Sequence, residues 1–171
     1  DHAMLFTVFY TAIRVTAMAN AKAGGLEQVD GEWYVNVTEK RKKERRLLLL
    51  EATPAVMRWV EAAGLTDKPD WPLFPAVDRD RVTVLNRHLT RDTIRKMVKR
   101  YGKKVGINVD GVVQADGRRR RGIGFHSLRK TALNDALANG AELRDAQEWF
   151  GHEGITTTEL YTVNTGEEAK R

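Results

Sequence analysis

The last third of the sequence constrains the fold most, because it divides into three helical segments separated by helix-ending residues. Ser127 can cap the first segment, and Asn139-Gly140 ends it. The apolar residues of this segment recur at helical spacing: Leu128, Ala132, Leu133, Ala136 and Leu137. The second segment covers residues 142–150, and Thr156 with Glu159 forms a capping-box pattern that starts a third. This region therefore predicts a bundle of short amphipathic helices.

The first two thirds predict further helices and a hairpin. Apolar residues from Leu5 onward recur at helical spacing, in a helical region that Gly24-Gly25 ends. A second helix opens at Thr53-Pro54 and runs through Glu61, and a third, basic and amphipathic, spans Thr90 to Lys104. Runs of β-formers at residues 32–37 and 46–50, joined by polar residues, indicate an antiparallel hairpin.

The remaining connections are predicted to be loops. Residues 71–75 contain two prolines, and residues 108–124, rich in Gly and Arg, form a mobile loop or a loose hairpin. The predicted fold class is therefore mainly α with a small antiparallel β-sheet (α+β). A chain of 171 residues suits one such domain, covering residues 1–171.

Composition excludes several classes of function. The chain has no cysteine, which removes disulfide frameworks, Cys-ligated zinc and a Cys nucleophile. No apolar run approaches the roughly 18 residues of a membrane span, and the first residues lack the features of a signal peptide. Lys and Arg number 29 against 23 Asp and Glu, and this net charge of +6 favours a polyanionic partner.

Four residues of the last third are candidates for a functional site. His126 and Arg129 lie three apart, so they share one face at the start of a helix. Imidazole can accept and donate a proton, and guanidinium is a rigid charged fork that suits phosphate. His152 follows Gly151 at a turn, and Tyr161 lies in the first turns of the next helix. Taken singly, each has an ordinary structural explanation as a surface, loop or half-buried side chain.

Taken together, these residues resemble the catalytic domain of the tyrosine recombinase (phage integrase) family. The family has a His-x-x-Arg motif, a Leu-Gly-His-like turn and then a Tyr, which stand here as 126–129, 150–152 and Tyr161. Upstream, residues 10–15 resemble the segment of the first catalytic Arg, and 39–45 the hairpin of the catalytic Lys. Those candidates are Arg14 and Lys40, with Lys42 and Lys43 as alternatives for the lysine.

The sequence departs from the family pattern at both upstream segments. Ala12 and Thr16 stand where the family usually has Gly and an acidic residue around the first Arg. Glu39 and Arg41 replace the glycines that usually flank the Lys.

The resemblance implies a phosphodiester transesterification that needs no metal, cofactor or ATP. The Tyr attacks the phosphate, the two Arg and the second His hold its non-bridging oxygens, the first His moves a proton, and the Lys protonates the leaving 5′ oxygen. The six implied catalytic residues are Arg14, Lys40, His126, Arg129, His152 and Tyr161. The product is a 3′-phosphotyrosine, from which a 5′-hydroxyl can rejoin the strand.

Basic residues around these segments predict contacts with double-stranded DNA. The candidates are Arg41, Lys42, Lys43, Arg45, Arg91, Arg95 and Lys130. The resemblance also implies a missing N-terminal core-binding domain, a monomeric isolated domain, and assembly of the full-length recombinase into a tetramer on DNA. It implies a cytoplasmic, nucleoid-associated location in a prokaryotic or phage-infected cell. Two alternatives stay open: a type IB topoisomerase-like enzyme, and a basic DNA-binding module without catalysis.

Overall fold

The computed structural model describes residues 1–39, 42–107, 109–113, 115–120 and 122–150. The helices in these ranges are α1 (His2–Thr11), α2 (Val15–Asn20), α3 (Thr53–Ala62), α4 (Arg91–Lys104), α5 (Phe125–Ala138) and α6 (Leu143–Phe150). The strands are β1 (Leu26–Val29), β2 (Glu32–Thr38), β3 (Glu44–Leu48), β4 (Pro75–Val77), β5 (Val84–His88), β6 (Val112–Val113) and β7 (Arg119–Arg120). The predicted α+β class is confirmed. The third helix predicted from Thr156 lies outside the described residues.

The predicted hairpin belongs to a sheet of three antiparallel strands, ordered β1-β2-β3. Strands β2 and β3 are the two predicted strands, with Tyr34 opposite Leu48 and Thr38 opposite Glu44. The additional strand, β1, joins β2 through Asp30-Gly31, both with positive φ (51° and 86°). Two consecutive left-handed residues make the tight turn that matches the twist of paired strands. That Asp-Gly pair was the overlooked signal for β1.

The predicted first helical region is in fact two helices, α1 and α2, with a break between them. Ala12 adopts a left-handed conformation (φ 47°), which ends α1. The hydroxyl of Thr11 accepts a hydrogen bond from the Ile13 backbone N–H (3.2 Å), which stabilises the break. Arg14 is the capping residue that precedes α2, with extended backbone. The break therefore places the backbone of Arg14 at a corner rather than on a helix face.

The main core lies between the helices and the three-stranded sheet. Its fully buried side chains come from α1 and α2, from β2 and β3, from α3 and from α4; examples are Val8, Met18, Val35, Leu47, Val56 and Ile94. A smaller apolar cluster surrounds Ala12, where Leu133 of α5 and Ala146 of α6 are also buried. This second cluster, called here the corner cluster, holds α5 and α6 against the α1–α2 break.

One loop prediction is corrected by the structure and the other is confirmed. Residues 71–75 were predicted to be a loop, but Pro75 is the first residue of β4, which pairs with β5. The region 108–124 contains the short hairpin β6-β7, which confirms the loose-hairpin alternative. Helix α5 begins at Phe125, two residues before the predicted cap. The hydroxyl of Ser127 instead accepts a hydrogen bond from the backbone N–H of Gly124 (3.2 Å).

Candidate active site

Arg14 lies at the α1–α2 break and faces the end of β2. Its Nη1 donates a hydrogen bond to Oε2 of Glu39. The Glu39 side chain is only 3% exposed, whereas that of Arg14 is 37% exposed. The guanidinium is therefore held by a buried carboxylate and still reaches the surface.

Arg129 of α5 is directed at the same break. Its side chain is buried, and its Nη1 donates to the backbone carbonyl of Ala12, two residues before Arg14. The corner cluster, one turn further along α5 at Leu133, keeps the helix in this position. The two arginines that the resemblance paired thus come from distant segments and converge on one corner.

His126 stands one turn before Arg129 on α5, and part of its side chain reaches solvent. Partial burial of its ring, followed by the positive charges of Arg129 and Lys130, lowers the pKa of His126 below its usual 6.5. The neutral imidazole is therefore the main form at neutral pH. A neutral ring can accept a proton, which is the role predicted for this residue.

The predicted DNA-contacting side chains fall into two groups. Lys42 and Lys43 at the β2–β3 turn and Arg91 and Arg95 on α4 are exposed, and Lys130 is partly exposed. Arg45 faces inward, with 10% of its side chain exposed, and it binds Glu39 (3.4 Å). The direct DNA contact of Arg45 stays a prediction.

Comparison with known proteins identifies the family. The chain matches the phage integrase family over residues 1–168. The chain belongs to the phage integrase family. It is 31% identical over 162 residues to the tyrosine recombinase XerD of Rhizobium meliloti, covering 94% of this chain and 46% of the relative. It is 32% identical over 166 residues to XerD of Listeria innocua, covering 95% and 49%. The chain thus spans about half the length of these relatives.

Solved structures show the same fold. The crystal structure of XerA recombinase matches with a TM-score of 0.69 and 27% identity, over 95% of this chain and 53% of that one. A lambda integrase dimer bound to a COC′ core site has a TM-score of 0.66 and 19% identity, over 98% of this chain and 53% of that one. The predicted tyrosine recombinase catalytic-domain fold is therefore confirmed.

The geometry at Ala12 agrees with membership of the phage integrase family. The family pattern has Gly at this position, and Ala12 adopts a left-handed φ of 47°, which Gly adopts without strain. The Ala12 methyl group is fully buried in the corner cluster, which compensates the conformational cost of a β-carbon there. Arg14 lies two residues after this left-handed position, directly before α2, and its catalytic role stays a prediction.

Lys40, Arg41, His152 and Tyr161 lie outside the described residues, so their roles stay predictions. On the near side of Lys40, the backbone N–H of Glu39 donates to the carbonyl of Lys43 (2.7 Å), which closes the β2–β3 turn.

The other tyrosines have structural partners. Tyr34 lies beneath the guanidinium of Arg46 (4.3 Å to the ring centre), and the Tyr101 hydroxyl donates to Asp1 (3.1 Å). The ring of Tyr10 packs edge-on against Phe9, with ring centres 5.2 Å apart. These contacts give Tyr10, Tyr34 and Tyr101 structural roles.

Sequence reasoning missed the buried pair Glu39 and Arg45. Both were assigned to the hairpin of the catalytic Lys, and Arg45 also to the DNA-contacting surface, yet they join β2 and β3 to the α1–α2 break. The available signal was an acid within a basic run, at a position where the family pattern has glycine.

No three His, Asp or Glu side chains among the described residues are grouped so that they could hold a metal ion. Within the same part of the chain, no helix is long and apolar enough to cross a membrane.

Proposed function

We propose that the chain is the catalytic domain of a site-specific recombinase, which cleaves and rejoins DNA through a 3′-phosphotyrosine intermediate. The observation that carries the proposal is the convergence of Arg14 and Arg129 on one corner, with the neutral His126 one helical turn away. Two guanidinium groups suit the non-bridging oxygens of a phosphate that gains charge in the transition state.

The chemistry divides among six residues. Tyr161 attacks the scissile phosphorus, and the bond to the 5′ oxygen breaks as the phosphotyrosine bond forms. The phenol has an ordinary pKa of about 10 and must lose its proton as it attacks, and His126 accepts it. Arg14, Arg129 and His152 stabilise the charged oxygens, and Lys40 returns a proton to the leaving 5′ oxygen. Because the phosphoester energy is kept, attack by a 5′-hydroxyl reverses the step without ATP.

The proposed partners are double-stranded DNA and further copies of the full-length recombinase. The proposed DNA surface includes the exposed side chains of Lys42 and Lys43 at the β2–β3 turn and of Arg91 and Arg95 on α4. Arg41 and Lys130 complete it. A solved structure with the same fold is a lambda integrase tetramer bound to a Holliday junction, which supports assembly as a tetramer on DNA. We place the full-length protein in the bacterial cytoplasm, at the nucleoid, with a core-binding domain preceding this one. The isolated domain is proposed to be monomeric.

The experiment that tests this function traps the covalent intermediate. A nicked suicide DNA site that carries the element's own recombination sequence loses its 5′-hydroxyl fragment after cleavage, so an SDS-stable adduct should accumulate. The adduct should form equally well in EDTA, since every proposed role belongs to a side chain. Loss of the adduct in EDTA with recovery in Mg²⁺ would contradict the mechanism, and absence of any adduct would favour a binding module. Plasmid relaxation without strand exchange would indicate a topoisomerase.

The general acid can be assigned with a modified leaving group. In a substrate whose bridging 5′ oxygen is sulfur, the leaving thiolate needs no proton. Lys40→Ala should therefore fail on normal DNA and recover on the sulfur substrate, with cleavage followed as adduct formation. Lys42→Ala and Lys43→Ala are matched controls on the same turn, and recovery by either of them alone would move the role to that lysine.

A further inference from the structure

A carboxylate is buried between two arginines directly behind the candidate site. Oε2 of Glu39 accepts from Nη1 of Arg14, and Oε1 accepts from Nη1 of Arg45 at 3.4 Å. The side chains of Glu39 and Arg45 are 3% and 10% exposed. Each carboxylate oxygen therefore serves a different guanidinium.

This arrangement meets the electrostatic requirement for burying charge. Desolvation of an ionised carboxylate costs several kcal/mol, which close ion pairs and hydrogen bonds must offset. Glu39 has two such partners, and the three groups together keep one net positive charge. Without the carboxylate, two guanidinium groups would face each other in a poorly solvated place, and Arg14, the more exposed of the two, would be displaced more easily.

The same network reaches the end of α6. Nη2 of Arg45 donates to the backbone carbonyl of Trp149, which lies three residues before His152 in the sequence. Glu39 itself directly precedes Lys40. One buried ion-pair network thus connects the start of α2, the β2–β3 hairpin and the end of α6, and each of these segments carries or borders a proposed catalytic residue.

We propose that Glu39 is a positioning residue for DNA cleavage, which fixes the guanidinium of Arg14 from its buried side before the phosphate arrives. The inference rests on the proposed function. A group that stabilises a transition state is most effective when its orientation is set in advance, because no reorganisation is then needed during the reaction. The carboxylate restricts the rotamers of Arg14 and leaves the group partly exposed to the DNA side.

In the opposite role, Glu39 would compete with DNA for Arg14. Its carboxylate would then occupy the place of the phosphate, and DNA would have to displace it. The burial of Glu39 and its second bond to Arg45 argue for support from behind. The two roles predict opposite effects of Glu39→Gln, since loss of a competitor accelerates cleavage and loss of a support slows it.

The test measures single-turnover cleavage at saturating DNA together with DNA affinity. Glu39→Gln keeps the size of the side chain and removes its charge. We expect the cleavage rate to fall about 100-fold, the typical cost of a catalytic group misplaced by ~1 Å, with little change in the Kd for DNA. Glu39→Asp retains the charge and should recover part of the rate, and it supplies the measurement if Glu39→Gln does not fold.

Glu27→Gln is the matched control. Glu27 is an exposed carboxylate of the same sheet, 3.4 Å from the guanidinium of Arg46. An exposed ion pair contributes little to stability, so this variant should cleave as the wild type does. A wild-type or faster cleavage rate in Glu39→Gln would overturn the proposal.

A second readout needs no activity. Phenylglyoxal modifies arginine, and peptide mapping by mass spectrometry reports the rate at Arg14 in the DNA-free protein. Glu39→Gln should increase that rate severalfold, and Glu27→Gln should leave it unchanged. An unchanged rate at Arg14 would refute the role of Glu39 even if cleavage fell. A wild-type protein that forms no adduct would instead defeat the proposed function, so the two failures are distinguishable.

Discussion

Tyr161→Phe should eliminate the covalent DNA adduct completely. The substitution removes one hydroxyl group and keeps the ring, so folding and DNA affinity should persist. The phenol is the proposed nucleophile, and no step of the proposed cleavage can proceed without it. Residual cleavage should therefore be undetectable rather than slowed, when adducts on the suicide substrate are counted by SDS gel.

Tyr34→Phe and Tyr101→Phe are suitable controls for this loss. The Tyr101 hydroxyl donates to Asp1, and the Tyr34 ring stacks under Arg46, so both have structural partners. Both variants should form the adduct. The assignment of Tyr161 is wrong if its Phe variant still forms an adduct, or if the DNA-linked peptide maps to Tyr10, Tyr34 or Tyr101.

Local signals predicted the elements that depend on local interactions. Helix α4 begins where the sequence indicated, because the hydroxyl of Thr90 accepts a hydrogen bond from the backbone N–H of Thr93 (3.1 Å). Strands β2 and β3 were predicted by their β-forming residues. Strand β1 was missed although Asp30-Gly31 marks its turn, since its four residues, Leu-Glu-Gln-Val, carry little strand pattern of their own.

The break between α1 and α2 could not be predicted from helical periodicity. The apolar residues of α1 continue through Ala12 and Ile13 at helical spacing, because both are buried in cores on the two sides of the corner. What ends the helix is a left-handed alanine whose methyl group packs against Leu133 and Ala146. Those contacts join residues more than a hundred positions apart, and periodicity contains no information about them.

Only part of the candidate site could be predicted, because the rest also depends on contacts between distant segments. Motif resemblance selected Arg14, His126 and Arg129, and the structure places the two arginines at one corner. It did not select Glu39, because a buried ion pair between β2 and α2 depends on tertiary packing. In sequence, Glu39 is one acid beside a strongly basic run, and such a residue ordinarily lies in solvent.

Arg129→Lys should reduce the cleavage rate by about 100- to 1,000-fold. This is the usual effect of removing one hydrogen-bond donor that stabilises the charge of a transition state. Lysine keeps the positive charge but loses the planar fork that can hold two phosphate oxygens. DNA affinity should change little, since other basic side chains supply most phosphate contacts. Single-turnover cleavage at saturating DNA and a separate binding titration measure the two effects.

Arg129 also has a structural role, which the test must separate from catalysis. Its Nη1 serves the carbonyl of the fully buried Ala12, and an unsatisfied buried carbonyl costs about 1–3 kcal/mol of stability. Leu133→Ala is the control for that cost, because it opens a cavity in the same corner cluster, worth about 2–5 kcal/mol, and removes no group that can bind phosphate.

Arg58→Lys makes the same chemical change on an exposed side chain of α3, outside the proposed DNA surface, and should be nearly neutral. Urea unfolding measures the free energy of unfolding of each variant, and single-turnover cleavage measures its activity. If Arg129 acts on the phosphate, Arg129→Lys loses far more activity than Leu133→Ala at equal or smaller destabilisation. If both variants lose activity in proportion to stability, Arg129 acts only by holding α5 against the α1–α2 break.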